Sequence, residues 1–251
     1  MKKKKQSIKK KNQNILSKTL KEFSVKKSFS DIKVYIIISL LIFLLFICLG
    51  IIAPSIFPKP VFTYLEENLN NVIKQLIEKT EGLNTPQLIN FIFWNNSKSA
   101  FFGFILGIFL AIVPVSILVV NGFLLGYVIF KAVQIEGIII IWRLFPHGVF
   151  EIPSILIATS LGIKIGIDLM TNAFRHYDKS LDRQSVFWLC LLSMIFFYVS
   201  FPIILAYTLY HKELRDKLYS NLTNGIIIFI LIIIPLLIIA AVIEGSLINL
   251  I

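Results

Sequence analysis

Charged residues are scarce in this 251-residue chain. They make up 16% of it, whereas 57% is hydrophobic and the mean hydropathy is +0.82. Soluble domains contain about 25% charged and roughly 45–50% apolar residues. Both values differ from those of soluble domains in the direction of membrane proteins, so the composition excludes a soluble domain with a large apolar core. Because about 20 apolar residues cross a bilayer as a helix, the composition predicts an all-α, polytopic transmembrane helix bundle.

The residue patterns of known catalytic and metal sites are also missing. The chain has three His and two Cys, and no His-Glu-x-x-His, Gly-x-Ser-x-Gly, P-loop or dinucleotide-binding motif. Cys48 and Cys190 lie in apolar stretches without a spacing motif. Zinc needs three protein ligands plus water, or four, and the pair His147 and Glu151 supplies two. We therefore expect no metal, no cofactor and no enzymatic activity.

Positive charge is concentrated in residues 1–33. This tail has twelve Lys against Glu22 and Asp31, a net charge of +10 that leaves +1 for the rest. By the positive-inside rule, the N-terminus is expected in the cytoplasm of a multi-pass cell-membrane protein. The tail is expected to be a solvated segment that sets the topology, with contact to anionic lipid as the alternative. Nucleic-acid binding is disfavoured, because the tail has no aromatics beyond Phe23 and Phe29. The membrane domain then covers residues 34–251, with an extracytoplasmic amphipathic segment at 58–97.

Six apolar segments follow the tail, at residues 34–53, 100–120, 123–145, 146–170, 186–209 and 225–243. The third carries Lys131, Gln134, Glu136 and Arg143, so it either spans the bilayer or enters and returns as a re-entrant hairpin. Six spans place both termini in the cytoplasm, and five place the C-terminus outside. The two charged loops carry three Lys or Arg each, so the charge rule does not decide. Segment length favours six.

Local signals predict where some of these helices begin and end. Thr85-Pro86 is expected as N-cap and first residue of a helix. Asn95 and Asn96 are expected to cap the second span, and Asn121-Gly122 to end it. Pro146 suits the first position of the fourth helix, because its missing N–H is no loss there.

His147 and Glu151 are the most unusual polar residues. They are four residues apart and therefore share one helix face. Ionisable residues inside a membrane are functional candidates and usually have a partner. We take His147, Glu151, Glu136 and Lys131 as a candidate intramembrane polar site. The structural alternative is that His147 and Glu151 satisfy each other and pin the helix against its neighbours.

Glycines four residues apart predict close helix packing. Such pairs share a helix face and let two backbones approach in lipid. Three pairs occur within the second to fourth segments, at Gly103 and Gly107, Gly122 and Gly126, and Gly162 and Gly166. They indicate a tightly packed central unit.

An ordered set of motifs resembles the stage II sporulation protein M family of integral membrane proteins. The set includes Asn95-Asn96, the Gly103/Gly107 span, the run Asn121 to Gly126, and Pro146-His147-Gly148-Val149-Phe150-Glu151, followed by Gly162 and Gly166. The resemblance covers roughly residues 91–166. Ser154 stands where the family often has Ala, which is a mild departure.

The resemblance implies a polytopic membrane protein. In spore-forming bacteria, the namesake is implied to act in a membrane complex with cell-wall-degrading partners during engulfment. We expect a non-enzymatic scaffold whose partners are the lipid bilayer and other membrane proteins or further copies of itself. The alternative is a transporter or permease subunit with its polar site around His147 and Glu151.

Overall fold

All regular structure in the described part of the chain is helical. The computed structural model describes residues 24–137 and 140–248, without the side chains of residues 136, 140–147 and 248. Its α-helices are α1 (Val25–Ile56), α2 (Lys59–Thr80), α3 (Thr85–Ile105), α4 (Ile112–Glu136), α5 (Ile140–Tyr177), α6 (Arg183–Ile195), α7 (Phe197–Tyr210), α8 (Lys212–Ile228) and α9 (Ile234–Ile248). A 3₁₀ turn, Leu106–Ile108, follows α3, and the π-helical stretch Phe229–Ile233 joins α8 to α9. The basic residues 1–23 lie outside the described residues.

Four helices of the described residues, and not six, are long and apolar enough to cross a bilayer on their own. They cover Val25–Ile56, Ile112–Ile135, Gly148–Tyr177 and Lys212–Leu247. This corrects the six predicted segments. The first, fourth and sixth predicted segments fall within these helices, whereas the second, third and fifth do not form single helices.

The second predicted segment is broken by a turn at Leu110 and Ala111. Both residues have positive φ, at 52° and 65°, a conformation that costs non-glycine residues about 1–2 kcal/mol each. Both are fully buried, so packing maintains the turn. The expected break at Asn121-Gly122 is wrong, because α4 continues through both residues. There the Asn121 side chain donates to the Ile117 carbonyl at 2.8 Å.

The third predicted segment is divided between α4 and α5. Helix α4 ends at Gly137, whose φ of +75° suits glycine. Since α5 is already helical at Ile140, Pro146 does not begin a helix, and that prediction is wrong. Asn84 caps α3 through a capping box with Gln87, one residue before the predicted cap Thr85. Asn95 and Asn96 lie inside α3 and cap nothing.

The fifth predicted segment is a bent pair, α6 and α7, whose axes turn by 119°. Both ends of the pair return to the C-terminal part of α5. Arg183 and Arg175 line one cleft, and the Tyr207 hydroxyl lies 2.9 Å from His176 Nδ1. At the bend, Phe197 packs near Phe109, beside the α3–α4 turn. The pair is therefore a helical hairpin that enters and leaves at one end of the bundle.

Close glycine contacts hold the helices together, with α5 in the centre. A Cβ at Gly162 of α5 would collide with the α3 backbone at Gly103, and a Cβ at Gly107, in the 3₁₀ turn after α3, would collide with Gly162. Gly166 lies against Ala111 of the turn. Gly122 and Gly126 of α4 pack on the backbone of α1, at Phe43 and Ile47 respectively.

These contacts give the bundle two distinct ends. The beginning of α1 lies beside Lys164 and Asn224, because Ile32 lines a crevice with both. We call this the N-terminal end. The end of α1 lies beside Tyr127 of α4, and the start of α3 packs through Ile89 on Gly245 of α9. Helices α1 and α9 thus finish at the same, opposite end.

The glycine contacts predict a sharp steric penalty at Gly126. A Gly126→Ala change places a methyl group against the α1 backbone at Ile47. Overpacking costs about 1–3 kcal/mol, and only a small gain in helix propensity offsets it. Thermal unfolding of the detergent-solubilised protein should show a lowered midpoint. Val120→Leu adds volume on the same helix at a position 62% exposed and should leave the midpoint unchanged; equal midpoints for both variants would contradict the packing.

Candidate functional site

Three helices bring a polar cluster together towards the opposite end of the bundle. Glu151 of α5 lies near the Asn96 side chain of α3 and close enough to Glu244 of α9 for the two carboxylates to interact electrostatically. Asn96 is 9% exposed, and both carboxylates are half-buried. Asn95 Nδ2 donates to Asn96 Oδ1 at 3.3 Å, which orients the amide. We call Asn96, Glu151 and Glu244 the carboxylate cluster.

Sequence reasoning missed Glu244. It is the single charged residue after Lys217. The stretch around it is otherwise apolar, as expected of a transmembrane helix. That isolation was an available signal, because a lone charge in a transmembrane helix seldom lacks a role. Its partner was not available from spacing, since Glu151 lies 93 positions away in the sequence and meets it only through the α5–α9 contact.

The four predicted polar-site residues do not assemble as one site in the described residues. Lys131 forms an ion pair with Glu66 of α2, away from Asn96. The side chains of Glu136 and His147 lie outside the described residues. Glu151 alone of the four is seen in the carboxylate cluster, and the pairing of His147 with Glu151 stays a prediction.

Helix α2 is attached to the outside of the bundle. Two polar contacts join it to α4, the Lys131–Glu66 ion pair and the Tyr127 hydroxyl, which donates to Asn70 Oδ1 at 2.8 Å. None of its residues is buried. It carries a row of exposed apolar side chains, at Val61, Tyr64, Val72 and Leu76, which we call the α2 stripe.

The α2 stripe points away from these attachments. At about 100° of rotation per residue, its four members fall within roughly 120° of the helix circumference. Glu66 and Asn70, which hold α2 to the bundle, lie on the other side of the same helix. The stripe is therefore available for a surface beyond this chain.

A second polar group lies at the N-terminal end. Lys164 and Asp168 of α5 form an ion pair, and Asn221 Nδ2 of α8 donates to the same carboxylate oxygen at 2.9 Å. The helical spacing of Lys164 and Asp168 predicts their pairing, whereas Asn221 comes from a distant segment. With its charges compensated, this group ties α8 to α5.

The described residues offer little for metal or nucleophilic chemistry. Within residues 24–137 and 140–248, no group of three or more His, Cys, Asp or Glu side chains is placed to hold a metal ion. The carboxylate cluster supplies two acidic groups and one amide. Such a set can bind or pass a proton or a cation, but it contains no activated nucleophile.

The model of one protein family, "Stage II sporulation protein M", matches residues 39–247. The chain belongs to the stage II sporulation protein M family. The match includes all helices from the middle of α1 to α9, so it extends well beyond the motifs between residues 91 and 166. The family assignment thus rests on the whole membrane domain.

A relative from Methanocaldococcus jannaschii, itself described as uncharacterized, is 28% identical over 190 residues. The alignment covers 72% of this chain and 83% of that protein. No solved structure matches the chain significantly.

The carboxylate cluster predicts an energetic coupling between Asn96 and Glu151. Asn96→Ala removes the polar side chain beside the Glu151 carboxylate, and the loss of such a buried polar partner costs about 1–3 kcal/mol. Asn95→Ala, at an exposed neighbouring position, should cost less. A double-mutant cycle with Glu151→Ala, read by thermal or denaturant unfolding in detergent, isolates the pair. Additive effects of the two single changes would show that the amide and the carboxylate do not interact.

Proposed function

We propose that this member of the family is a non-enzymatic scaffold of a membrane complex. Helix α2 holds other membrane proteins, or further copies of this chain, at the opposite end of the bundle. The α2 stripe carries this proposal. Its members are 37–68% exposed, whereas most other apolar residues of the helix are partly buried. An exposed apolar row on a helix suits a partner surface, because burying it removes apolar area from water.

The attachment of α2 supports the same role. The helix is attached to α4 by an ion pair and one hydrogen bond. These contacts fix its orientation without burying the stripe. The close packing of the helices beneath it provides a rigid base. A scaffold needs both properties, a surface left open and a fixed position for it.

The N-terminal end of the bundle is the side we assign to the cytoplasm. Lys26 and Lys27 of α1 lie there, and so do Arg175 and Arg183, because the α6–α7 hairpin returns to the end from which it started. The two charged loops are thus at the same end as the basic tail. This arrangement explains why their charges are equal, and it supports a C-terminus and an α2 helix outside the cytoplasm.

Replacing the α2 stripe should release the partners. Val61→Ser, Tyr64→Ser, Val72→Ser and Leu76→Ser together remove the apolar area while the Lys131–Glu66 and Tyr127–Asn70 contacts remain. We expect the protein to stay in the membrane fraction and to lose the membrane proteins that co-purify with the wild type after mild cross-linking. Serine at the same number of exposed polar positions, Glu67, Asn71, Lys74 and Glu78, is the matched control and should retain them.

Unchanged co-purification in the stripe variant would count decisively against α2 as the partner surface. Equal loss in the polar control would also contradict the proposal, since it would show that any change in α2 disturbs the complex.

A second candidate function, a transporter or permease subunit, is favoured by the carboxylate cluster. Two acidic side chains that interact electrostatically between α5 and α9 are costly in a membrane and suit the passage of a proton or cation. The Asn96 amide offers an orienting partner at the same place. The region of His147 and Glu151 is then the centre of the polar path.

Transport makes a separate prediction. In vesicles reconstituted with the purified chain, Glu151→Gln should abolish proton flux, read with an enclosed pH-sensitive dye under an imposed gradient, because the amide cannot carry the proton. Glu67→Gln, on the exposed side of α2, should leave the flux unchanged. Wild-type flux in the Glu151→Gln vesicles would remove Glu151 from the mechanism.

A further inference from the structure

An apolar cleft lies between the C-terminal half of α5 and helix α6. Its volume is about 260 Å³, well above the roughly 30 Å³ that one water molecule occupies in the liquid. Met170 and Val186 form buried parts of its wall, and Cys190 lies between them and the surface. The cleft is therefore large enough for several methylene groups and offers them apolar walls.

Two guanidinium groups line the same cleft. Arg175 comes from the last turns of α5 and Arg183 from the first residue of α6, and both are exposed. Met194 and Ile167 line the other part, towards the middle of the bundle. The cleft thus changes from cationic at the N-terminal end of the bundle to apolar deeper inside.

Neither guanidinium has a carboxylate partner among the described residues. The two nearest acids in sequence, in the loop between α5 and α6, are engaged locally. Asp178 accepts hydrogen bonds from Ser180, and Asp182 caps α6 by accepting from Ser185 N at 2.9 Å. The same bonds, from Ser180 and Ser185 respectively, lower the pKa values of the two carboxyl groups. These acids stay charged but are bonded to their own turns.

The cleft opens on the outer surface of the bundle. Phe187 and Leu191 flank it and are 59% and 40% exposed. Exposed aromatic and aliphatic side chains beside unpaired arginines are typical of a membrane interface, where acyl chains and phosphates occur within one ligand. A bidentate arginine contact suits a phosphate oxygen pair.

We propose that this cleft binds an anionic phospholipid. Its phosphate lies on Arg175 and Arg183, and part of one acyl chain lies along Met170, Val186 and Cys190. The bound lipid fills the space between α5 and α6 and compensates the two arginines. This inference stands apart from the α2 stripe and the carboxylate cluster.

Cys190 is a built-in reporter for this site. Because the chain has two cysteines, Cys48→Ala leaves one thiol, inside the cleft. The full chain with that change is placed in nanodiscs of phosphatidylcholine alone or with phosphatidylglycerol. We expect phosphatidylglycerol to slow the reaction of Cys190 with a small methanethiosulfonate reagent severalfold and to co-purify with the protein after detergent extraction.

Arg175→Gln with Arg183→Gln should abolish both the protection and the lipid retention. Lys26→Gln with Lys27→Gln removes the same charge from exposed positions at the same end and should preserve both. Equal labelling rates in the two lipids, or equal protection in both double variants, would overturn the proposal. Protection by inorganic phosphate in phosphatidylcholine nanodiscs would also overturn it, because the site would then bind the anion without the acyl chain.

Discussion

The close approach of α5 to its neighbours is the contact on which the rest of the bundle depends. Helices in lipid gain little from hiding apolar surface, so they associate through close van der Waals contact and interhelical hydrogen bonds. Gly107 of the 3₁₀ turn after α3 and Gly162 of α5 meet backbone to backbone. Beside them, the Ser160 hydroxyl of α5 bonds to Ser39 of α1 at 3.0 Å, with both residues fully buried.

The same approach extends to the unusual turn between α3 and α4. Gly166 lies directly against Ala111, in the short turn between the 3₁₀ stretch and α4. Leu110 and Ala111 adopt left-handed conformations there. Their strain is maintained by full burial against the core, which is how such conformations persist without glycine.

The proposed sites lie where the packed bundle leaves side chains without a complete set of partners. The α2 stripe has no covering surface in this chain, and the carboxylate cluster places two acids against each other. The cleft between α5 and α6 places two arginines beside apolar walls. The α2 stripe and the carboxylate cluster lie towards the opposite end of the bundle, and the cleft lies at the N-terminal end.

Much of the helical content could be predicted from composition and from runs of about 20 apolar residues, since any such run must form a helix in lipid. The first and last long helices were predicted in this way, and the family was evident from the ordered motifs between Asn95 and Gly166. The close-packing glycines could be named because spacing by four is a local property of a helix.

Only the tertiary structure decided the positions at which the apolar segments bend. Hydropathy is uniform across Leu110 and Ala111 and across Phe196, so it marks neither break, whereas Asn121-Gly122 gave a turn signal that α4 overrides. The pairing of Glu151 with Glu244 likewise depends on how α5 and α9 pack. A sequence determines which segments are helical because that requirement is local to each backbone, but contacts between distant helices determine their ends, their order in space and their polar partners.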